Sequence, residues 1–173
     1  LEDSLSGRLD FLDGAVFPHT CDSVQRLSDI WRLNGNYQFF WDVILPVKLN
    51  TQSARNYMVK ALQKFKNELE TASGKKISEK ALKDAIQIYN QIRKSLSRIQ
   101  EMRAKYPGII RNVDFYALVK GAMVVDRKQA ADHLQSIADK LEAQSAPENT
   151  SRRILLSGSI CDIPDIYTML EES

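Results

Sequence analysis

The chain has 173 residues, 43% hydrophobic and 27% charged, with a formal net charge of +2. That is a soluble globular composition, long enough for one ordinary domain or parts of two. Lys and Arg are interleaved with Asp and Glu along helical faces, which argues against nucleic acid as a partner, and no apolar run approaches the roughly 18 residues of a membrane span. Two cysteines do not make a disulfide framework, so a reducing cytoplasm is the expected compartment. The chain starts without Met and stops just after a helix, where an α/β unit would deliver its next strand. A fragment of a longer protein is therefore expected.

In chain order, residues 15–17 read as a short buried strand behind an Asp13-Gly14 turn, and Pro18 breaks it. A helix follows over residues 20–33, with Thr20, Asp22 or Ser23 as cap and Val24, Leu27, Ile30 and Trp31 on one face. Gly35 is placed to end it with a positive φ. The aromatic and β-branched run 37–47 predicts a second strand centred on Val43, Ile44 and Leu45 and ended by Pro46. Strand, helix, strand is a minimal βαβ unit.

The texture then turns helical. Thr51 or Asn50 caps a long amphipathic helix carrying Ala54, Tyr57, Met58, Leu62, Phe65 and Leu69, and Gly74 ends it. Ser78 starts a second, with Ile88, Ile92, Leu96, Ile99 and Met102 at helical spacing, closed before Pro107-Gly108. Asp114 begins a shorter helix, and Asp126 caps another that carries Ala130, Ala131, Leu134, Ile137, Ala138 and Leu141. A polar linker over 144–152 leads to strand texture at Ile154, Leu155 and Leu156, and Pro164 suits the first turn of a last helix. The expected fold class is α/β: a Rossmann-like α/β lobe over 1–50, a long helical insert over 51–144, and the start of a second α/β lobe over 145–173.

Two turns carry the candidate chemistry. Cys21 and Cys161 each follow an apolar strand and precede an Asp and a helix. A cysteine at a helix N-terminus is placed to act as thiolate, the form that binds metal or attacks a substrate; a small, half-buried core thiol is the alternative. Far apart in sequence, the pair has no CxxC-type spacing and completes no metal site alone. His19 is the candidate proton donor or ligand, a catalytic role against which stands an ordinary, partly exposed turn histidine. His133 looks like surface. Asp22 and Asp162 need be no more than caps. Ser157, Gly158 and Ser159 form a small-residue turn able to bring backbone N–H groups to a phosphate or thioester oxygen. Arg26, Arg32, Trp31, Tyr37, Phe39, Phe40 and Trp41 either line a pocket or, for most of the aromatics, form core.

Together, Asp13-Gly-Ala-Val-Phe-Pro-His-Thr-Cys21-Asp-Ser, Asp29-Ile-Trp31, Leu45-Pro46-Val-Lys, Asp114-Phe-Tyr116 and Ser157-Gly-Ser-Ile-Cys161-Asp-Ile-Pro164 resemble the benzoyl-CoA reductase / 2-hydroxyacyl-CoA dehydratase family over essentially the whole chain. The resemblance implies two Rossmann-like lobes joined by helices and a four-iron four-sulfur (4Fe-4S) cluster held by cysteines. It implies a homologous partner subunit, an acyl-CoA or aryl-CoA thioester substrate, and a separate activator that hydrolyses ATP to inject electrons. Carried over, Cys21 matches a cluster ligand, Cys161 occupies the equivalent turn of the second lobe, and the family's third cysteine has no counterpart here. The stretch from Ser28 to Asn34 leans towards the reductase branch. The alternatives are dehydration of a 2-hydroxyacyl-CoA through a ketyl radical, or a non-enzymatic helical interaction module in which both thiols are buried.

Overall fold

The computed structural model describes residues 1–145, 147, 154–158 and 165–172. The chain divides into two compact units, Leu1–Ser78 and Glu79–Ser173.

In the first unit a short helix α1 (Glu2–Leu5) precedes strand β1 (Gly14–Pro18), helix α2 (Asp22–Asn34), strand β2 (Phe39–Val43) and helix α3 (Gln52–Ser73). The strands pair in parallel, from Gly14 opposite Phe39 to Pro18 opposite Val43, and so form the expected βαβ unit. Alternation along β1 buries Ala15 and Phe17 and leaves Val16 exposed. Phe17 meets the edge of Trp31 on α2 at 5.0 Å and stacks on Phe40 at 5.3 Å, so this face of the sheet is the α2 face. On the other face Trp41 stacks with Phe39 and meets the edge of Phe65 on α3 at 5.6 Å. Most of the candidate pocket aromatics are thus packing residues.

Several boundaries differ from the sequence expectation. The second strand is Phe39–Val43, not a strand centred on 43–45. Aromatic side chains suit both faces of the sheet, and β1 ends at Pro18 opposite Val43, which leaves Ile44 and Leu45 with no partner in the ladder. The N-cap of α2 is Cys21 itself, with no side-chain capping bond, rather than Thr20, Asp22 or Ser23. Gly35 ends α2 in an extended conformation, φ −100°, not a left-handed one. Its missing Cβ is what matters, because a Cβ there would lie 2.1 Å from the Tyr37 ring. Thr51 caps α3 through Ala54 N–H at 3.2 Å, and Gly74 closes it at φ 67°, both as expected.

The second unit contains α4 (Glu79–Lys105), α5 (Asn112–Val124), α6 (Arg127–Glu142) and α7 (Ile166–Glu171). Helix α5 begins two residues before Asp114, with Arg111 as N-cap. Asp126 caps α6 through the N–H groups of Lys128 and Gln129 at 3.0 and 3.1 Å. The core lies between α4 and α6: Ile92 and Ile99 pack with Ala130, Ala131, Leu134, Ala138 and Leu141, joined by Ile109. Three alanines on α6 let the two backbones approach closely. Ser95 donates to Gln135 at 3.4 Å and Arg98 to Asp139 at 2.7 Å, so the two helices run side by side in the same direction. Leu155 is 91% exposed, and residues 154–156 join no strand among the described residues, against the strand expected there. An apolar strand is stable only on a sheet, and the described part of this unit has none. The last helix is capped by Asp165, whose side chain accepts from Thr168 N–H at 3.1 Å. Pro164 lies outside the described residues.

Candidate functional site

Because β1 and β2 are parallel, their carboxyl ends lie on the same edge of the sheet, and the β1–α2 turn carrying His19 and Cys21 sits there. Open α/β sheets bind ligands at this edge. Backbone bonds shape the turn: His19 N–H donates to Val43 C=O at 3.1 Å, extending the ladder one step past Pro18, and Thr20 N–H donates to Pro18 C=O at 2.8 Å. Cys21 then opens α2 with φ −154°, its C=O accepting from Gln25 N–H at 3.1 Å. Its thiol is free and exposed.

The His19 ring pairs with a carboxylate on β2. Its Nε2 lies 2.8 Å from Asp42 Oδ1, with the two side chains only 18% and 17% exposed. Ser28, wholly buried on α2, donates its hydroxyl to the same oxygen. Arg32, one turn further along α2, pairs with Asp42 Oδ2 and lies over the Phe40 ring at 5.0 Å. One carboxylate on β2 therefore gathers three polar partners from the β1–α2 turn and from α2. Sequence reasoning does not single out Asp42. The signal available is a single charge inside an aromatic strand, on the same face as Phe40, with Ser28 and Arg32 four apart on the covering helix.

The other candidates separate. Ser157 and Gly158 are exposed, and Gly158 has φ 151°. Ser159 and Cys161 lie outside the described residues, as does Asp162. His133 is exposed on α6. Among the described residues no group of three or more His, Cys, Asp or Glu is placed to hold a metal ion. A shallow depression of about 460 Å³ lies on α6 around Asp132, Gln135 and Asp139, and one of about 360 Å³ lies between Trp41 and α3. Neither touches His19 or Cys21. No helix of the described residues is long and apolar enough to cross a membrane.

Comparison with known proteins agrees with the sequence resemblance. One of the subunits of the benzoyl-CoA reductase of Thauera aromatica is 32% identical over 96% of this chain and 43% of its own length. The (R)-phenyllactyl-CoA dehydratase beta subunit of Clostridium sporogenes is 27% identical over 100% of this chain and 46% of its own. The beta subunit of the (R)-2-hydroxyglutaryl-CoA dehydratase of Acidaminococcus fermentans is 23% identical, again over 100% and 46%. The chain spans less than half the length of these relatives. A family model described as 2-hydroxyglutaryl-CoA dehydratase, D-component, matches residues 1–173 from end to end, and the chain belongs to that family.

Proposed function

We propose that residues 1–173 are part of an iron–sulfur subunit of an ATP-dependent benzoyl-CoA reductase of the cytoplasm, with the Cys21 thiolate as one ligand of a 4Fe-4S cluster. The observation that carries this reading is a free, exposed thiol opening α2 at the carboxyl edge of a parallel βαβ unit, in a chain 32% identical to a benzoyl-CoA reductase subunit. The donor chemistry fits, since thiolates are the usual ligands of such clusters. It fits as one corner only, because no further ligand set forms among the described residues. Cys161 and cysteines outside this chain would complete it. On this reading residues 1–50 belong to a first Rossmann-like lobe, 51–144 to a helical block and 145–173 to the opening of a second lobe.

When bound, the cluster supplies single electrons at low potential, received from a separate ATP-hydrolysing activator. The residues of this chain do the rest. Cys21 would fix one corner, and His19 would pass protons to the substrate, reloaded from solvent between transfers. Ser157, Gly158 and Ser159 would offer backbone N–H groups to the thioester oxygen. The other side of the site, around the aryl-CoA, is closed by a homologous partner subunit. The second reading, dehydration of a 2-hydroxyacyl-CoA, draws on the description of the matching family model and on the 27% identity to a phenyllactyl-CoA dehydratase subunit.

The test is to purify the intact protein with its partner under anaerobic conditions and record iron content, absorption and EPR spectra. Cys21→Ser is expected to lose most of the cluster signal. A colourless wild-type protein, or a spectrum unchanged by Cys21→Ser, overturns the assignment. Turnover of benzoyl-CoA against a 2-hydroxyacyl-CoA, with the matching activator, decides between the branches.

A further inference from the structure

We infer that Asp42 is a positioning residue that dictates which nitrogen of His19 carries the proton, leaving Nδ1 as the nitrogen that serves the site. The inference rests, for its consequence in turnover, on the reading of the Cys21 turn as the reaction's site. Its structural content stands on the hydrogen-bond network alone.

An ionised carboxylate only accepts. Oδ2 of Asp42 is engaged by the Arg32 guanidinium, and Oδ1 accepts the Ser28 hydroxyl and faces His19 Nε2 at 2.8 Å. Two donors therefore already point at the carboxylate, and Nε2 meets a lone pair with no proton to offer. The neutral imidazole satisfies this contact only with its hydrogen on Nε2, since the bond made by one ring nitrogen sets the tautomer of the other. The backbone supports the same arrangement: His19 N–H donates to Val43 C=O, the residue after Asp42, so ring and main chain are both tied to the end of β2. With Nε2 committed to Asp42, Nδ1 is the ring nitrogen left to meet a substrate.

Asp42→Asn separates positioning from mere tethering. The amide has one acceptor and one two-hydrogen donor. Arg32 can only donate, so the amide oxygen must turn to Arg32 and the NH₂ group to Ser28 and His19. The Ser28 hydroxyl has lone pairs to accept one hydrogen, and His19 Nε2 must accept the other. Every hydrogen bond survives, yet the imidazole proton is driven to Nδ1. The fold is kept and the tautomer inverted.

The experiment is ¹⁵N NMR of the intact protein labelled at histidine, at alkaline pH where free imidazole is neutral. Expected is a proton bonded to Nε2 of His19 in the wild type and in Ser28→Ala, and to Nδ1 in Asp42→Asn. Turnover of Asp42→Asn should fall about 10²-fold, the low end of what a positioned acid–base contributes, with KM and cluster spectra unchanged. A wild-type proton on Nδ1, or an Asp42→Asn proton still on Nε2, overturns the inference. The wild-type spectrum alone decides if the variant does not fold. A protein that shows the inversion but holds no iron upholds the tautomer assignment while the proposed function fails. A protein that holds the cluster without the inversion does the reverse.

Discussion

Gly14 opens β1 where the ring of Phe39, its partner in the ladder, crosses the strand. A Cβ at this position would lie 1.9 Å from the Phe39 ring and 2.6 Å from the Phe39 carbonyl oxygen. The ring could rotate, but the carbonyl belongs to the ladder and cannot move without breaking it. Gly14→Ala should therefore destabilise the first unit by about 1–3 kcal/mol, the usual cost of overpacking. A urea midpoint unchanged from wild type would show that β1 and β2 separate here at no cost. The same residue scale shows what sequence reasoning reaches and what it misses. The place of Cys21 and His19 between β1 and α2 is legible because a cysteine after an apolar strand and a proline break has a recognisable context. The meeting at Asp42 is not, because its three partners come together only once β2 pairs with β1 and α2 folds over the sheet. A lone carboxylate among aromatics carries no motif, and its meaning is in the register.

The helices are the most legible elements, since caps and apolar periodicity are local. Thr51, Asp126 and Gly74 act where the sequence places them, and five of the six stripe residues named on α6 are in the core. The strands are less so, because their limits come from pairing: β2 ends with β1 at Val43, not at the proline three residues on. On α4 the stripe alone leaves open what it packs on, and the answer is α6, locked at its rim by Arg98. Its guanidinium donates to Asp139 at 2.7 Å and to Glu142 at 2.8 Å. These bonds hold both carboxylates below their ordinary range, with the Arg98 hydrogen bonds the largest cause for each. The sign follows directly. A carboxylate whose folded pKa is depressed adds stability that is fully present above its unfolded value, about 4, and lost as pH falls through the lower folded value. Thermal midpoints should therefore drop as the pH falls below about 4, and Arg98→Met should flatten that drop while leaving the helices intact. Because both carboxylates are exposed, the difference should shrink in high salt. An equally steep acid limb in Arg98→Met would mean that the pairs meet in space without energetic coupling.

Across the chain, burial is unevenly divided between the two units. In the first, the buried apolar residues are Ala15, Phe17 and Ala54; in the second, Ile92, Ile99, Ile109, Ala130, Ala131, Leu134, Ala138 and Leu141 form one cluster. Parallel strands are normally covered on both faces within larger sheets, and a two-stranded sheet is marginal in water. Here each strand has one edge unpaired among the described residues, and Val16 stays 43% exposed. Local stability follows apolar contacts and protected hydrogen bonds, so opening should begin at the sheet and reach α4 and α6 last. Native-state hydrogen exchange on residues 1–173 should show the slowest amides around Ile99 and between Ala130 and Leu141. Amides of 14–18 and 39–43 should exchange through a lower-energy opening, and earlier with rising denaturant. Equal protection of both sets would mean that the two units unfold as one. The turn holding His19 and Cys21 belongs to the unit with the fewer buried apolar residues, and Asp42 ties that turn, β2 and α2 together within its small sheet.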